Sequence, residues 1–366
     1  MSLATLWQEV VSGHRRGLSA GLLRSGLRAV APPYAVGATV HRAVYERGVL
    51  PRERLACPVL SVGNITTGGT GKTSAVLLLA KLLVQRGITP AILLRGHRRR
   101  GSGALILPRG QTDGAEVEQA GDEACMVARM LPEAVVAVGK RREVVARQVL
   151  SETDARALIL DDGFQYYPLE RDLDLVLLDA LWPCSTDRVF PAGTLREPLS
   201  NLRRADALWL THVDVADVAA LREVRRLAER GGQGPCVETR HQPLLLRRPD
   251  GNATEPLSAL RERTIGAVSS IGNPLAFELA LQRLDAAAVR PLRFPDHHRY
   301  AAPDVAQIKR CAGEVDFVVT TEKDAVRLPP ETWELDNLWI LRCEMQFVRG
   351  EEEALGMVDE CLRDRL

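Results

Sequence analysis

A glycine-rich segment between an apolar run and a helix pattern carries the clearest chemistry of this 366-residue chain. Val59–Val62 is typical of a buried strand, and the leucine-rich stretch Ser74–Arg86 has helical spacing. Glycines in such a turn let backbone N–H groups point at phosphate oxygens, a lysine reaches the terminal phosphates, and the next hydroxyl can ligate Mg²⁺. The sequence therefore predicts a site for a nucleoside triphosphate. Its candidate residues are Thr66, Thr67, Gly68, Gly69, Thr70, Gly71, Lys72 and Thr73.

The phosphate-loop pattern is imperfect at its first glycine. The strict pattern places a glycine where this chain has Thr66, and Gly68 and Gly69 supply the backbone freedom instead. The alternative interpretation is a tight strand-to-helix turn that happens to hold a lysine and a threonine. The strand before the turn and the helix after it favour phosphate binding.

Two adjacent acids follow a second apolar run. Asp161 and Asp162 come directly after Ala157–Leu160, and ligands bind at the carboxyl edge of open α/β sheets. Turns also favour aspartate, so the pair alone does not establish a site. After a phosphate loop, the pair predicts Mg²⁺ bound directly or through water.

Charged residues that precede two further helix patterns allow two interpretations each. Asp122 is either the N-cap of the helix pattern Ala124–Leu131 or a carboxylate that faces the γ-phosphate. Lys140, Arg141 and Arg142 follow another apolar run, where they either clamp a phosphate or form a solvated basic turn. Spacing alone does not decide between these interpretations.

Three later segments hold polar residues whose chemistry stays open at this stage. In a loop stiffened by two prolines, Arg196 and Glu197 are interpreted as a surface ion pair of little energetic value. His297 lies beside Asp296 and a second histidine, which suits either metal ligation or acid–base work by an Asp–His couple. Lys323 follows an apolar run and is either structural or directed at a cleft.

Short apolar runs alternate with helix patterns from Leu55 onward. This order predicts an α/β fold of the P-loop NTPase type, a mostly parallel sheet with helices on both faces, followed by a smaller C-terminal α/β domain. A glycine-rich break at Gly231–Gly234 marks the expected boundary. The expected domains are an N-terminal arm at 1–54, a P-loop core at 55–234 and a smaller domain at 235–366. The predicted strands are Val59–Val62, Pro90–Leu94, Val135–Val138, Leu158–Leu160, Leu173–Leu178, Ala207–Thr211, Thr264–Ser270 and Phe317–Thr320.

Residues 1–54 form a basic segment with an amphipathic helix pattern. They hold eight arginines and three glutamates, a local balance of +5. Pro32 and Pro33 are predicted to end the helix. A basic amphipathic helix lies either in a membrane interface, attracted to anionic lipid, or on the protein's own core. The apolar residues at near-helical spacing are Leu18, Leu22, Leu23, Leu27 and Val30.

Composition and charge argue against several classes of protein. A net charge of +1 gives no case for nucleic-acid binding by the whole chain. The seven cysteines are scattered without metal-ligand spacing, which is typical of free thiols in a reducing compartment. Neither a signal peptide nor a bilayer-spanning run is expected. Thr211–Asp214 lacks the lysine of guanine-specific enzymes, which argues against GTP.

Six motifs, taken together and in this order, resemble the tetraacyldisaccharide 4′-kinase family, the lipid A 4′-kinases. The resemblance runs from Val59 to Lys323, and the missing first glycine of the phosphate loop is typical of that family. Besides the phosphate loop, the motifs are Gly121-Asp-Glu123, Asp161-Asp-Gly-Phe-Gln165, Leu195-Arg-Glu-Pro198, Phe294-Pro-Asp-His-His298 and Thr321-Glu-Lys-Asp-Ala325.

The resemblance implies a kinase that uses ATP and Mg²⁺. It would move the γ-phosphate of ATP to the 4′-hydroxyl of a tetraacylated glucosamine disaccharide 1-phosphate. It also implies a peripheral protein on the cytoplasmic face of the bacterial inner membrane, which meets its lipid substrate through the N-terminal arm. No nucleic-acid partner and no protein partner are expected.

The resemblance assigns nucleotide and metal roles to five residues. Lys72 and Thr73 match the positions that serve ATP and Mg²⁺. Asp161 and Asp162 match an acidic metal-binding motif, and Glu197 matches a further acid of the active site, counted with the metal ligands.

The resemblance also assigns the proton transfer. Asp122 matches the carboxylate that activates the acceptor hydroxyl, and His297 matches its partner from the second domain. Lys72 is expected to serve catalysis as well as binding. Either Arg142 or Arg141 matches a basic position that contacts phosphate, and the resemblance leaves both residues as candidates.

This chain departs from the family pattern at several positions. Arg95 and Gly96 are followed by the basic run His97–Arg100, where the family has an aromatic residue and glycines. Tyr166 replaces a histidine and Thr194 replaces a proline. Two alternatives remain at this stage, a P-loop GTPase or ATPase of the metallochaperone type and a nucleotide-gated binding protein without chemistry.

Overall fold

The computed structural model describes residues 3–11, 15, 17–96, 99, 101, 103–111, 119–184 and 187–365. Its strands are β1 Val59–Asn64, β2 Pro90–Leu94, β3 Leu105–Leu107, β4 Val135–Val138, β5 Ala157–Asp161, β6 Leu173–Asp179, β7 Ala207–Thr211, β8 Cys236–Arg247, β9 Thr254–Glu255, β10 Thr264–Ser269, β11 Ala288–Arg293, β12 Phe317–Thr321 and β13 Leu338–Arg349. Its α-helices are α1 Leu3–Val11, α2 Leu18–Glu46, α3 Lys72–Gln85, α4 Asp122–Met130, α5 Arg142–Glu152, α6 Val218–Gly231, α7 Pro274–Gln282, α8 Ala302–Ala312, α9 Glu322–Ala325, α10 Pro330–Trp333 and α11 Glu351–Arg363. Two 3₁₀ turns lie at Leu199–Arg204 and Leu257–Leu260.

One mostly parallel sheet runs through the described part of the chain. Its order is β11-β10-β12-β13-β8-β7-β6-β1-β5-β2-β4-β3, with β9 paired to β8. Successive residues of β1 face opposite sides, so that Leu60 packs with residues of α3 and Val59 packs with residues of α5. Helices therefore cover both faces of the sheet, and the predicted α/β fold is confirmed.

Two long antiparallel strands, β8 and β13, form a central ribbon that joins two parallel halves. In the first half, β7 pairs in parallel with the start of β8, at Leu208–Leu210. In the second half, β12 pairs in parallel with the start of β13, at Leu338–Leu341. Because β8 and β13 are antiparallel, the strands of the two halves run in opposite directions.

The register of the central ribbon places the two carboxyl edges opposite each other. The end of β7 lies level with Glu238, and the end of β12 lies level with Leu341, which pairs with Leu246. The two levels are separated by the stretch of β8 from Glu238 to Leu246, roughly 25 Å of extended chain. Both carboxyl edges therefore open onto one cleft whose floor is the ribbon.

All eight predicted strands are present, within one or two residues at each end. Three of them, β2, β4 and β7, have the predicted bounds. The two ribbon strands, β8 and β13, were not among the predicted strands, and neither were β3, β9 and β11. The helix after the phosphate loop begins at Lys72 rather than Ser74, because Gly71 takes the left-handed conformation with φ 83° and starts the first turn earlier.

The prediction that Pro32 and Pro33 end the N-terminal helix is wrong. Helix α2 continues through both prolines to Glu46. A proline inside a helix removes the hydrogen bond to the carbonyl one turn earlier and crowds that carbonyl, which belongs here to Arg28 and Ala29. Arg28 and Ala29 are exposed, so water can donate hydrogen bonds to their carbonyls while the helix continues.

The N-terminal arm docks on the core along one side. Trp7 donates a hydrogen bond to the carbonyl oxygen of Pro191, 2.8 Å away, and its ring contacts Phe190. The Tyr34 ring meets Phe190 edge-on, and His41 meets Tyr167 in the same way. The division at residues 54 and 234 stays a prediction, and α11 packs its buried side chains into the core of the first half.

Candidate active site

The phosphate loop connects β1 to α3 at the carboxyl edge of the first half. Thr67 donates its backbone N–H to the carbonyl of Thr194 at 2.7 Å, which ties the loop to the proline-containing segment. Asn64 at the end of β1 donates to the Thr70 hydroxyl at 3.0 Å, and Thr211 donates to the Thr70 carbonyl at 3.1 Å. These bonds hold the loop from β1, from the end of β7 and from the segment of Thr194, so the loop is preorganised for an anion.

The second half of the protein packs directly on the phosphate loop. A Cβ atom placed on Gly71 would lie 2.8 Å from Cε1 of His241, a residue of the central ribbon. A Cβ atom on Gly272 would lie 2.7 Å from the backbone nitrogen of Gly69. Glycine is therefore required at these positions by close approach between the halves, in addition to the turn geometry.

Opposite charges surround Asp162 behind the loop. Arg196 Nη1 donates to both carboxylate oxygens at 2.7 and 2.8 Å, and Lys72 Nζ lies 3.6 Å from Oδ1. Burial alone would raise the pKa of Asp162, but the charges of Lys72 and Arg196 outweigh it and lower the pKa to about 2. Burial also lowers the pKa of Lys72, and the Asp162 charge opposes that effect. The predicted ion pair between Arg196 and Glu197 is wrong, because the partner of Arg196 is Asp162.

Asp161 differs from its neighbour in having an unsatisfied carboxylate oxygen. The side chain is buried at the end of β5, and Oδ1 has no hydrogen-bond partner. Burial, followed by the negative charge of Glu123, raises the pKa of Asp161 to about 7. An orphaned buried carboxylate oxygen beside a phosphate loop fits a hard cation such as Mg²⁺. Thr73 lines the same cavity.

The structure distinguishes between the two arginines that the sequence left open. Arg142 is buried, donates from Nη1 to the carbonyl of Asp162 at 3.0 Å and stacks over the Tyr166 ring. Its backbone N–H donates to the Tyr166 hydroxyl at 2.8 Å. Arg141 is 78% exposed and pairs with Glu143. Arg142 therefore lies in the site, and Arg141 points away from it.

Glu197 lies in a closed hydrogen-bond network. Its carboxylate accepts hydrogen bonds from Gln165 at 2.7 Å, from Asn201 at 2.6 Å and from Arg204 at 2.9 and 2.8 Å. Gln165 also donates to the carbonyl of Asn64 at the end of β1. The network fixes the segment below the phosphate loop, and the role of Glu197 as a metal ligand stays a prediction.

A second charged cluster comes from the other side of the cleft. His297 Nε2 lies 4.0 Å from Glu123 Oε1, and Lys323 Nζ lies 3.4 Å from the same oxygen. Asp122 is not the N-cap of α4. Gly121 holds that position with φ 94°, and Asp122 is the first helical residue, half-exposed and 4.0 Å from the nearest Arg327 nitrogen. The structure therefore brings His297 to the acidic turn, with Glu123 nearer than Asp122.

A buried histidine pair beneath the loop was missed by the sequence analysis. His212 Nδ1 donates a hydrogen bond to the Asp179 carboxylate at 2.9 Å, and the His212 ring stacks on His241 with ring centroids 4.6 Å apart. Asn273 donates to the other oxygen of Asp179 at 2.8 Å. Burial, and secondarily the His212 ring, lowers the pKa of His241 to about 3, so His241 is neutral. The only sequence signal was an acid at the end of β6.

Two cavities meet at this site. One, of about 570 Å³, runs from the phosphate loop to the second half of the protein and is lined by Lys72, Thr73, Asp161, Glu123, His297 and Lys323 among others. The other, of about 830 Å³, lies between α2 and the core. Arg95, Arg142, Asp162 and Arg196 line both cavities. The run from His97 to Arg100 lies outside the described residues except for Arg99.

Comparisons with known proteins agree on one family. The family model described as "Tetraacyldisaccharide-1-P 4′-kinase" matches residues 23–363. A protein named tetraacyldisaccharide 4′-kinase from Anaeromyxobacter dehalogenans is 39% identical over 356 residues, 95% of this chain and 92% of the relative. A protein of the same name from Syntrophus aciditrophicus is also 39% identical, over 90% of this chain and 91% of the relative.

A solved structure is similar over nearly its whole length. The crystal structure described as the "apo" form of LpxK from Aquifex aeolicus in complex with ATP superposes with a TM-score of 0.75 at 31% identity. The match covers 93% of this chain and 99% of that protein. The sequence resemblance is confirmed, and the likeness extends to both halves of the fold.

The two adjacent aspartates predict opposite effects on stability. The pKa of Asp161 in the folded protein, about 7, lies above the value of about 3.9 for an unfolded aspartate, so its ionisation opposes folding as pH rises through that range. Asp161→Asn should therefore stabilise the ligand-free protein at pH 8, by on the order of 1 to 3 kcal/mol, and change little at pH 4.

Asp162→Asn is the matched control. The depressed pKa of Asp162 contributes stability that is present above about pH 4 and lost as pH falls toward 2, so this variant should be less stable at pH 8. Urea unfolding of both variants at pH 8 provides the measurement. Shifts of the same sign in the two variants would contradict the assignment of charge at this pair.

Proposed function

We propose residue roles for a chain that belongs to the tetraacyldisaccharide 4′-kinase family. It is an ATP-dependent kinase that transfers the γ-phosphate of ATP to the 4′-hydroxyl of tetraacyldisaccharide 1-phosphate in lipid A biosynthesis. The observation that carries the residue assignment is the cavity in which Lys72 and Asp161 of the first half face His297 of the second half.

The nucleotide is proposed to bind along the phosphate loop. Gly68, Gly69 and Gly71 and the N-terminus of α3 are proposed to direct backbone N–H groups at the phosphates. Lys72 is proposed to reach the terminal phosphates from beside Asp162. Arg142 and Arg196, which border Asp162, are placed to balance the charge of the transferred group. Because these cations are held by fixed partners, they need little reorganisation during the reaction.

The Thr73 hydroxyl and the unsatisfied carboxylate oxygen of Asp161 are proposed to hold Mg²⁺, which would neutralise charge on the phosphates of the nucleotide. In the described ranges, no three His, Cys, Asp or Glu side chains converge as a metal cage. Mg²⁺ is usually held by one or two carboxylates together with substrate phosphates, which suits such a site. Asp162 and Glu197 are proposed to support it through Lys72, Arg196 and Gln165.

Proton removal from the acceptor hydroxyl is proposed to involve His297 and the acidic turn. Burial, and next the charge of Lys323, lowers the pKa of His297, so its imidazole is neutral and able to accept a proton near pH 7. Glu123 already pairs with Lys323, whereas Asp122 is half-exposed at the edge of the cleft. We assign Asp122 to contact the incoming hydroxyl and Glu123 to hold the cluster together.

The acceptor disaccharide is proposed to occupy the cavity of about 830 Å³ between α2 and the core. Its walls carry aromatic rings, including Tyr166 and Phe190, and the cations Arg95 and Lys140. Rings of this kind pack on sugar faces, and the cations suit a phosphorylated headgroup. The shared wall at Arg142 joins this cavity to the phosphate-loop cavity, so the acceptor reaches the γ-phosphate directly.

Peripheral membrane contact is proposed through the outer face of α2. Leu18 and Leu22 are 91% and 75% exposed, and Val36 and Val40 are 62% and 54% exposed. Eighteen residues make about five helical turns, so these two pairs lie on the same side of the helix. In the described part of the chain, no helix is long and apolar enough to cross a bilayer. The outer face of α2 suits a helix lying in the interface.

The proposed location is the cytoplasmic face of the inner membrane. ATP is available on that side, and the local charge of +5 in residues 1–54 suits an anionic leaflet. The acceptor cavity opens beside α2 at Tyr34 and His41, so a lipid headgroup enters it from the membrane surface. A protein partner is not required by this arrangement.

Asp122→Asn and Glu123→Gln test the proton path. Transfer of label from γ-labelled ATP to detergent-dispersed tetraacyldisaccharide 1-phosphate should fall by about 10²- to 10⁴-fold in kcat for Asp122→Asn, because a group in the proton path is lost. Glu123→Gln should cost less. A larger loss in Glu123→Gln would transfer the role to the acid that lies nearer His297. Release of free phosphate at equal rates with and without lipid would overturn the kinase assignment.

Lys140→Ala tests the acceptor cavity, with Arg141→Ala as its control. The two cations are adjacent in sequence, but Lys140 lines the cavity and Arg141 is exposed and paired with Glu143. Lys140→Ala should raise the KM for the lipid acceptor about tenfold, the usual effect of one charge-assisted hydrogen bond, with the KM for ATP unchanged. Arg141→Ala should leave both values unchanged. Equal effects of the two variants would exclude the cavity as the acceptor site.

Binding to vesicles tests the membrane face. Leu22→Ser combined with Val36→Ser should weaken partitioning onto anionic phosphatidylglycerol vesicles about tenfold, because apolar area is lost from the interface. The matched control is Val218→Ser combined with Val348→Ser, which removes exposed valines far from α2 in sequence. Flotation assays measure both. Wild-type binding by the α2 variant would refute contact through this face.

A further inference from the structure

The second half of the protein adds a lysine to the phosphate-loop cavity. Lys323 Nζ lies 3.4 Å from Glu123 Oε1, 3.8 Å from Asp296 Oδ1 and 3.3 Å from His297 Nε2. Its side chain is 23% exposed and lines the cavity that also holds Lys72. Lys323 thus stands between the acidic turn of one half and the histidine of the other.

The contact between Lys323 and His297 determines which imidazole nitrogen lacks a proton. A lysine ammonium has three N–H donors and no lone pair. Nε2 of His297 must therefore be the acceptor in this 3.3 Å contact. An accepting Nε2 requires the neutral imidazole with its proton on Nδ1. The geometry alone places the accepting lone pair of His297 on the side that faces Lys323 and Glu123.

Buried hydrogen bonds fix the positions of Lys323 and His297 relative to each other. Asp324, the residue after Lys323, is fully buried and accepts hydrogen bonds from the Ser270 N–H at 3.1 Å and the Ser270 hydroxyl at 2.6 Å. The carbonyl of Ser270 accepts the backbone N–H of His297 at 3.2 Å. Thr321 caps α9 by accepting the Asp324 N–H at 3.1 Å. Both functional side chains therefore extend from one rigid unit of the second half.

Four charged groups surround the imidazole of His297. Glu123 faces it from α4, Asp296 from its own loop, Lys323 from α9, and Arg327 from the turn after α9. Burial and then the charge of Lys323 lower the pKa of His297, while Asp296 and Glu123 oppose that shift. Without Lys323, two carboxylates would face the imidazole and favour its protonated form.

We propose that Lys323 is a positioning residue that keeps Nε2 of His297 unprotonated and directed at the acceptor hydroxyl. The inference rests on the proposed role of His297 in proton removal. When the acceptor binds, its hydroxyl replaces the ammonium as the donor to Nε2. The proton passes to Nε2 as the bond from the hydroxyl oxygen to the γ-phosphorus forms. The bond from the γ-phosphorus to the bridging oxygen breaks, and its electron pair leaves with ADP.

A titration of the histidines by NMR tests the inference without any turnover. His297→Gln identifies the His297 signal among those of the seven histidines. In Lys323→Met, the pKa of His297 should rise above the wild-type value, and in Lys323→Arg, which keeps the charge, it should stay low. Lys309→Met removes an exposed lysine of α8 and should change nothing. Unchanged signals of the other histidines show that each variant is folded. A wild-type His297 titration in Lys323→Met overturns the inference.

The pH dependence of kcat/KM provides the catalytic readout. In Lys323→Met, the acid limb of the pH profile, where kcat/KM rises as His297 loses its proton, should move to higher pH. The value of kcat/KM at pH 6 should therefore fall roughly tenfold below wild type, and the two proteins should have similar values above pH 8. Lys323→Arg should restore the wild-type limb. If the pKa of His297 rises in Lys323→Met but the limb does not move, then His297 does not take the proton. That result overturns the catalytic part of the inference together with the proposed proton path, whereas an unchanged pKa overturns the inference alone.

Discussion

The antiparallel pairing of β8 with β13 is the constraint on which the site depends. Parallel strands carry their functional loops at their carboxyl ends, so a single parallel sheet has only one such edge. Pairing β8 against β13 reverses the direction of the second half and turns its carboxyl edge toward the first. The phosphate loop and the loop of His297 then face each other across the ribbon. His241, a ribbon residue, fills the space beneath Gly71, so the floor of the cleft also supports the loop.

The two aspartates after β5 differ in their partners, because Asp162 is paired with cations and Asp161 has an unsatisfied oxygen. We therefore propose different roles for them. Asp162 pairs with Lys72 and Arg196, the cations that we propose to contact phosphate. Asp161 keeps an unsatisfied oxygen, and burial, followed by the negative charge of Glu123, raises its pKa. The fold thus tolerates one poorly solvated carboxylate, a group whose ionisation is compensated only when a cation binds. The same burial that opposes folding suits the metal site that we propose at Asp161.

Local features of the sequence were sufficient to predict most strands and the phosphate loop. They were not sufficient to predict which distant residues pair with each other. Buried apolar runs and the glycine turn before Lys72 predicted the strands and the phosphate loop, because burial and backbone conformation act within a few residues. The ribbon was missed because β8 is largely half-buried and contains Pro243, so it lacks the pattern of a core strand. Arg196 was paired with its neighbour Glu197, although adjacent residues in extended chain point to opposite sides. The meeting of Glu123, His297 and Lys323 depends on three distant segments.

In-line phosphoryl transfer needs the attacking and leaving oxygens on opposite sides of the phosphorus atom. With the nucleotide in one cavity and the acceptor in the other, as we propose, the two oxygens approach the phosphorus atom from different sides. The charged residues of the shared wall must then balance the charge of the transferred phosphoryl group. Arg142, Asp162 and Arg196 form such a wall, with the phosphate loop on one side and the space beneath α2 on the other. The nucleotide and the lipid headgroup therefore need no common entrance. In the proposed arrangement, a soluble nucleotide enters through the cleft and the acceptor approaches from the membrane surface, so that the two meet beside the shared wall.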